Sequence, residues 1–128
     1  MSYYFTKIVS LSFGEAIEKV IEELKKEGFG VLTDIDVKAT LKKKLDVEFR
    51  KYRILGACNP SFAYRALQTD DKIGTMLPCG VIVQEKEEGT IEVSAIDPGA
   101  SMKVVGNKKL LDIATEIQAK LKKVIDSL

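Results

Sequence analysis

The chain contains no histidine and no tryptophan. The absence of histidine removes the commonest metal ligand and the commonest general base, together with every Ser–His or Cys–His nucleophile pair. Cysteine is scarce as well, with two residues among 128. Two cysteines are too few for the disulfide framework of a small secreted protein, so we predict reduced thiols and a cytoplasmic location.

The chain also lacks an excess of charge and any long hydrophobic run. It has 20 Lys and Arg residues against 19 Asp and Glu, a net charge of +1, whereas a nucleic-acid-binding protein usually has a basic excess. No apolar run approaches the roughly 20 residues that a membrane helix needs. Residues 1–9 do not have the basic and apolar regions of a signal peptide. We therefore expect no nucleic-acid partner and no membrane association.

Helix and strand patterns alternate along the whole chain. Because the chain is short and no linker interrupts it, we expect a single domain over residues 1–128. The predicted order is β-α-β-α-β-α-β-β-α, which indicates an α+β fold, a two-layer α/β sandwich with a mixed, mainly antiparallel sheet. The predicted strands span residues 3–10, 29–35, 49–58, 79–85 and 90–96. Residues 102–105 could add one more short extended segment.

Several helix ends are marked by capping residues. Ser12 and Glu15 have the spacing of a capping box, and Gly28 is a typical helix stop. Asp36 and Asn107 are predicted to cap the second and the last helix. The last helix carries an apolar stripe at heptad-like spacing, which we interpret as packing on the sheet, with a contact between subunits as the alternative.

The two cysteines are the first candidates for chemistry. Cys58 ends a predicted strand in the segment at residues 56–60, and Cys79 follows Pro78 at the start of another strand. Two thiolates suit a soft metal such as Cu(I) or Zn(II), although a closed zinc site needs further ligands from carboxylates, water or a second subunit. A reversible dithiol is a second interpretation. The alternative is that both are small apolar side chains of the core.

Two polar groups are further candidates. The free amides that follow Asn59 could hold an anion beside Arg53 or Arg65, while the simpler interpretation makes Asn59 a helix cap. Asp34 and Asp36 lie two residues apart and could bind a hard cation. Because Asp36 already serves as a predicted cap, we favour a structural role for this pair.

Five ordered segments together resemble the "domain of unknown function 302" family. They are residues 34–38 (DIDVK), 52–60 (YRILGACNP), 63–67 (AYRAL), 77–79 (LPC) and 94–98 (SAIDP). The resemblance covers nearly the whole chain. It implies a small bacterial or archaeal cytosolic α/β domain, with an architecture compared to the TATA-binding-protein-like fold and often dimeric. It implies no established activity, so it assigns no catalytic residue.

From these observations we hypothesise a cytoplasmic homodimer that binds a small ligand or a soft metal, with Cys58, Asn59 and Cys79 at the site. The alternative function is a thiol-based redox enzyme or sensor that uses the same cysteines, and a third is a purely structural or protein-interaction domain. The sequence does not name the ligand, a cofactor or a pathway, and it does not decide whether the protein is an enzyme.

Overall fold

The computed structural model describes residues 2–87 and 89–128, and within them the strands form one sheet in the order β1-β5-β4-β3-β2. Each neighbouring pair in this sheet is antiparallel. The strands are β1 (Tyr4–Val9), β2 (Gly30–Asp36), β3 (Tyr52–Cys58), β4 (Cys79–Glu85) and β5 (Ile91–Ile96). The helices are α1 (Phe13–Lys26), α2 (Val37–Leu45), α3 (Pro60–Thr69), α4 (Pro98–Met102) and α5 (Lys108–Asp126), with 3₁₀ turns at Ile73–Met76 and Lys103–Val105.

The main core lies between one face of the sheet and the helices α1 and α5. Alternate strand residues point into it, because successive side chains of a strand leave opposite faces. The sheet contributes residues such as Leu55, Val81 and Val93, all fully buried. The helices contribute the buried residues Ala16, Ile17, Val20, Leu24, Ile117, Leu121, Val124 and Ile125. The stripe of α5 therefore packs on the sheet, as predicted.

The predicted α+β class and element order are confirmed, with some local differences. The third strand begins at Tyr52, later than expected. Residues 102–105 are helical rather than extended, because the Asp97 carboxylate caps α4 by accepting from the amides of Gly99 and Ala100. The sequence also predicts a hairpin between β4 and β5 with a charged tip at residues 86–89. The tip includes Glu88, which lies outside the described residues, as does Met1.

The helix starts follow their capping residues. Ser12 and Glu15 form the reciprocal capping box of α1, and Asn107 accepts from two amides at the start of α5. Asp36 accepts from the amide of Ala39 at 2.9 Å and so caps α2. The apolar positions of α2 are Val37, Leu41 and Leu45, and none of them is buried. α2 therefore lies on the surface next to β2 and β3.

Candidate functional site

The face of the sheet opposite α1 and α5 carries the most distinctive surface of the molecule. The register aligns side chains on this open face in rows that run across the strands. One row joins Tyr4 and Ile96 to Gly80 and Gly56, and the next joins Thr6, Ser94, Ile82 and Ile54. A third row contains Ile8, Glu92, Gln84 and Tyr52. The open face thus presents apolar side chains where such a sheet usually presents polar ones.

A cavity of about 630 Å³ lies on this face. Its walls include the aromatic rings of Tyr3, Tyr4 and Tyr52 and the side chains of Met76 and Met102. The hollow results in part from Gly80, where a β-carbon would have no heavy atom within 4 Å. A strand residue with a large side chain at this position would fill the space.

The polar end of the cavity is organised around Gln84, which is 8% exposed. Its amide oxygen accepts from Arg50 Nε at 2.9 Å, and its amide nitrogen donates to Glu92 Oε1 at 3.2 Å. Lys86 Nζ lies 3.5 Å from the other oxygen of Glu92. The Arg50 guanidinium also lies over the ring of Tyr52, 5.5 Å from its centroid. These contacts hold one carboxylate and two cations at the same end of the sheet.

A second polar group lies in the middle of the open face. The hydroxyls of Thr6 and Ser94 are 2.8 Å apart, and Thr6 Oγ1 also donates to the carbonyl of Val93. Ser94 is 8% exposed. Because buried polar side chains are costly unless they are paired, Gln84 and Ser94 are fixed in orientation by their partners. The cavity therefore has hydrogen-bonding groups in defined positions within an apolar lining.

The structure places Cys79 at the edge of this cavity and Cys58 behind it. Cys79 pairs with Ala57 across β3 and β4 and packs against the main core, whereas Cys58 is the next residue of β3 and pairs with Gly30. Both cysteines also line a second, smaller cavity of about 50 Å³, under α3. Burial, and to a lesser extent the nearby Cys58, raises the pKa of the Cys79 thiol to about 11.

Asn59 is the residue before α3, as predicted, but its side chain does not cap the helix. Its Nδ2 donates to the carbonyl of Glu27 at 3.2 Å, which ties the start of α3 to the end of α1. Its Oδ1 accepts from the hydroxyl of Ser61. Asn59 lines the smaller cavity together with Cys58.

The other charged candidates have partners within the protein. Arg53 forms a two-point ion pair with Asp34, and its guanidinium lowers the pKa of that carboxyl. Arg65 pairs with Glu116 at 2.8 Å. Asp36 caps α2 and Asp34 pairs with Arg53, so each carboxylate already has a structural partner. These contacts account for both carboxylates and both arginines as structural groups.

The described residues contain neither a metal-ligand cluster nor a membrane-spanning helix. Over residues 2–87 and 89–128 no three side chains of His, Cys, Asp or Glu are grouped as a metal site would require. In the same part of the chain no helix has the length and apolar character needed to cross a membrane.

The residues of the open face do not stand out as a site in the sequence. A signal is present in β3 and β4, where residues on both faces of the strand are apolar, such as Leu55 beside Ile54 and Val81 beside Ile82. A strand with apolar residues on both faces is expected to be covered on both sides. The register, which the sequence does not supply, is needed to align these residues with Gln84 and Ser94.

Comparison with known proteins identifies relatives over the full length of the chain. The model of the family described as "Domain of unknown function DUF302" matches residues 5–128. The crystal structure of an uncharacterized conserved DUF302 protein from Bacillus stearothermophilus has a TM-score of 0.91 and 33% sequence identity, covering 98% of each chain. No protein with a curated description matches. The chain therefore belongs to the DUF302 family.

Proposed function

We propose that this protein is a binding domain that holds a small, mainly apolar ligand in the cavity on the open face of its sheet. The observation that carries the proposal is the apolar character of a face that α1 and α5 leave uncovered, combined with its hollow of about 630 Å³. Ligand sites typically occupy about 300–1,000 Å³ and combine an apolar lining with a few fixed polar groups. Gln84 and Ser94 supply such groups.

The cysteine region contributes to this proposal as one end of the site. Cys79 lies in the wall of the cavity, next to Gly80 and Pro78. Cys58 and Asn59 line the smaller cavity behind it, so we propose that they support the position of Cys79 and α3. In this interpretation Cys79 is a small apolar residue at the boundary of the cavity, with its side chain packed against the main core.

A cavity-filling substitution tests the proposal. Gly80→Val adds bulk where the β-carbon meets open space, and a β-branched residue suits a strand, so the fold should be retained. We expect wild-type protein to bind the neutral apolar dye Nile red with increased fluorescence, and Gly80→Val to lose most of this signal.

The matched control is Gly30→Val. Gly30 also lies in a strand with open space at its β-carbon, and it lines none of the cavities described above. This variant should bind Nile red as wild type does. Equal binding by wild type and Gly80→Val would refute a site over Gly80.

The redox alternative receives less support. A redox-active cysteine needs an accessible thiolate, and a pKa of about 11 keeps Cys79 protonated near neutral pH. We expect Cys79 to react with a thiol reagent such as DTNB only after unfolding. Rapid modification of Cys79 in native buffer would instead favour the sensor interpretation.

We also propose that the protein is a cytoplasmic homodimer in which the edge strand β2 meets its counterpart in a second copy. β2 is the last strand of the sheet and leaves one row of backbone groups unpaired, which favours pairing with another strand. Leu32 and Ile35 on this strand are 69% and 46% exposed, and Leu45 on the neighbouring α2 is 66% exposed. A two-fold symmetric contact would bury these three side chains on both subunits.

Light scattering tests the dimer directly. We expect a mass of about twice the chain's 14.2 kDa across a micromolar dilution series. A mass of one chain at every concentration would refute the dimer and leave the ligand proposal unaffected.

A further inference from the structure

Along the strand direction, the cavity on the open face has an apolar end and a polar end. At one end its wall includes Gly80, Tyr4, Ile96, Met76, Pro78 and Met102. At the other end Gln84, Glu92 and Lys86 line it. Gly80 and Lys86 are six residues apart along β4 and the turn that follows, or about 20 Å at the rise of a strand. An elongated molecule with one apolar and one polar end matches this arrangement.

The charges at the polar end favour an anionic group. Glu92 is already satisfied by Gln84 and Lys86. Arg50 donates only its Nε to Gln84, and among residues 2–87 and 89–128 it has no carboxylate within 4 Å. In the part of the chain that the structure describes, the contacts that link Arg50, Gln84, Glu92 and Lys86 thus join two cations and one carboxylate. The guanidinium of Arg50 keeps donors for a planar acceptor.

The position of Arg50 is fixed rather than free. Its guanidinium lies 4.4 Å from the ring centroid of Phe49 and 5.5 Å from that of Tyr52, and its Nε is bound to the buried Gln84. A cation held by stacking and a hydrogen bond loses less side-chain entropy when it meets an anion. Arg50 does not itself line the cavity, but it contacts Gln84 and Tyr52, which do, so it lies beside the polar end.

Given the proposed function on which this step rests, we infer that the ligand is an amphiphilic carboxylate. Its alkyl or aryl body lies over Gly80, and its carboxylate meets Arg50 and Lys86 at the polar end. A neutral head group would form no charge pair with Arg50, whose exposed guanidinium would stay in water. A cationic head group would have to displace Lys86 from Glu92 and would be repelled by Arg50.

Probes with the same chain and different head groups test the inference. We would measure displacement of Nile red by dodecanoate, dodecanol and dodecyltrimethylammonium, each below its micelle concentration. Dodecanoate should bind about fivefold more tightly than dodecanol, the upper scale of an ion pair between exposed groups. The ammonium probe should bind most weakly. The difference in affinity between dodecanoate and dodecanol should become smaller as salt is added.

Two substitutions assign the effect to Arg50. Arg50→Gln should remove most of the difference in affinity between dodecanoate and dodecanol. Both probes are compared in the same variant, so a general change in apolar binding cancels. The matched control is Lys51→Gln, because Lys51 is the next residue and its amine lies by the ring of Phe13, at the start of α1. Lys51→Gln should still bind dodecanoate more tightly than dodecanol.

The outcomes separate the two proposals. Equal binding of dodecanoate and dodecanol, tighter binding of the ammonium probe, or an unchanged preference in Arg50→Gln would each overturn the carboxylate inference while the apolar site stands. If Nile red and all three probes fail to bind wild type, both the proposed function and this inference are overturned.

Discussion

At the scale of single residues, two glycines on the open face have opposite roles. A β-carbon on Gly56 would lie 2.2 Å from Thr33 Oγ1 and 2.7 Å from Pro78 Cγ, so this glycine permits the close approach of two neighbours. A β-carbon on Gly80, its partner on β4, would meet open space. One glycine is therefore required by packing, and the other leaves a cavity.

This contrast predicts different effects of the same substitution. Gly56→Ala should lower the free energy of unfolding by about 1–3 kcal/mol, the usual cost of forcing extra volume into a packed site. Gly80→Ala should leave it within about 0.5 kcal/mol of wild type. Urea denaturation of both variants measures the difference. Equal stabilities would contradict the tight contact of Gly56 with Thr33 and Pro78.

Cys79 gives a prediction about pH. Its pKa is raised from the ordinary value of 9.0 to about 11, so the folded state favours the protonated thiol more than the unfolded chain does. The corresponding stability is present below about pH 9 and is lost as the pH rises toward 11. From linkage, the loss should amount to roughly 2 kcal/mol.

The measurement compares wild type with Cys79→Ala by urea denaturation from about pH 7 to about pH 10.5, a range that spans most of the thiol titration. Because lysines and tyrosines titrate in the same range, the informative quantity is the difference between the two pH slopes. Cys79→Ala should decline less steeply with pH. Parallel slopes would contradict the buried position of the thiol.

At the scale of elements, the helix α5 should be essential to the fold. Ile117 is 6% exposed and belongs to the core between α5 and the sheet. Ile117→Asp would bury an unpaired carboxylate and should cost more than about 4 kcal/mol, enough to unfold the protein. The control Ala119→Asp lies on the exposed side of the same helix and should melt as wild type does. A normal melting curve for Ile117→Asp would be inconsistent with this packing.

Elements with local chemical signals can be predicted closely from the sequence. The capping box at Ser12 and the cap at Asn107 give helix starts that agree with the structure, because each signal satisfies free amides within one turn. The sequence also predicts β4 with its observed bounds, Cys79–Glu85. After Asp97 it indicates a turn and an extended segment instead of α4, since a helix this short has too few residues to show a period.

The role of Asn59 and the placement of α2 depend on tertiary contacts that the sequence does not display. The amide of Asn59 bonds to Glu27, which is far away in the chain. The apolar positions of α2 are not buried, because α2 follows an edge strand and its main contacts are with β2 and β3. Spacing alone predicts which face of a helix is apolar, and not whether the fold covers that face.

At the scale of the whole molecule, the candidate site comes from the way the strands are aligned. The cysteines stand out in the sequence because thiols are chemically distinctive, but in the structure they lie at one end of a larger surface. Gln84, Glu92 and Arg50 are ordinary residues in the sequence. They become a cluster only because the register pairs β4 with β5 and the segment before β3 returns beside β4.

The proposed dimer surface and the proposed ligand site should be separable in the whole molecule. Ile35 lies on the edge strand β2 and Ile8 on the opposite edge strand β1, with exposures of 46% and 63%. Ile35→Lys should produce a monomer, because it places like charges against each other across a symmetric β2 contact. Ile8→Lys, the matched control, should remain a dimer.

Light scattering on both variants measures their masses, and Nile red fluorescence measures their ligand binding. Dye binding should match wild type in both variants, because neither isoleucine lines the cavity. A monomeric Ile8→Lys variant beside a dimeric Ile35→Lys variant would instead assign the contact to the β1 edge. Loss of dye binding together with the dimer would mean that the second copy completes the cavity.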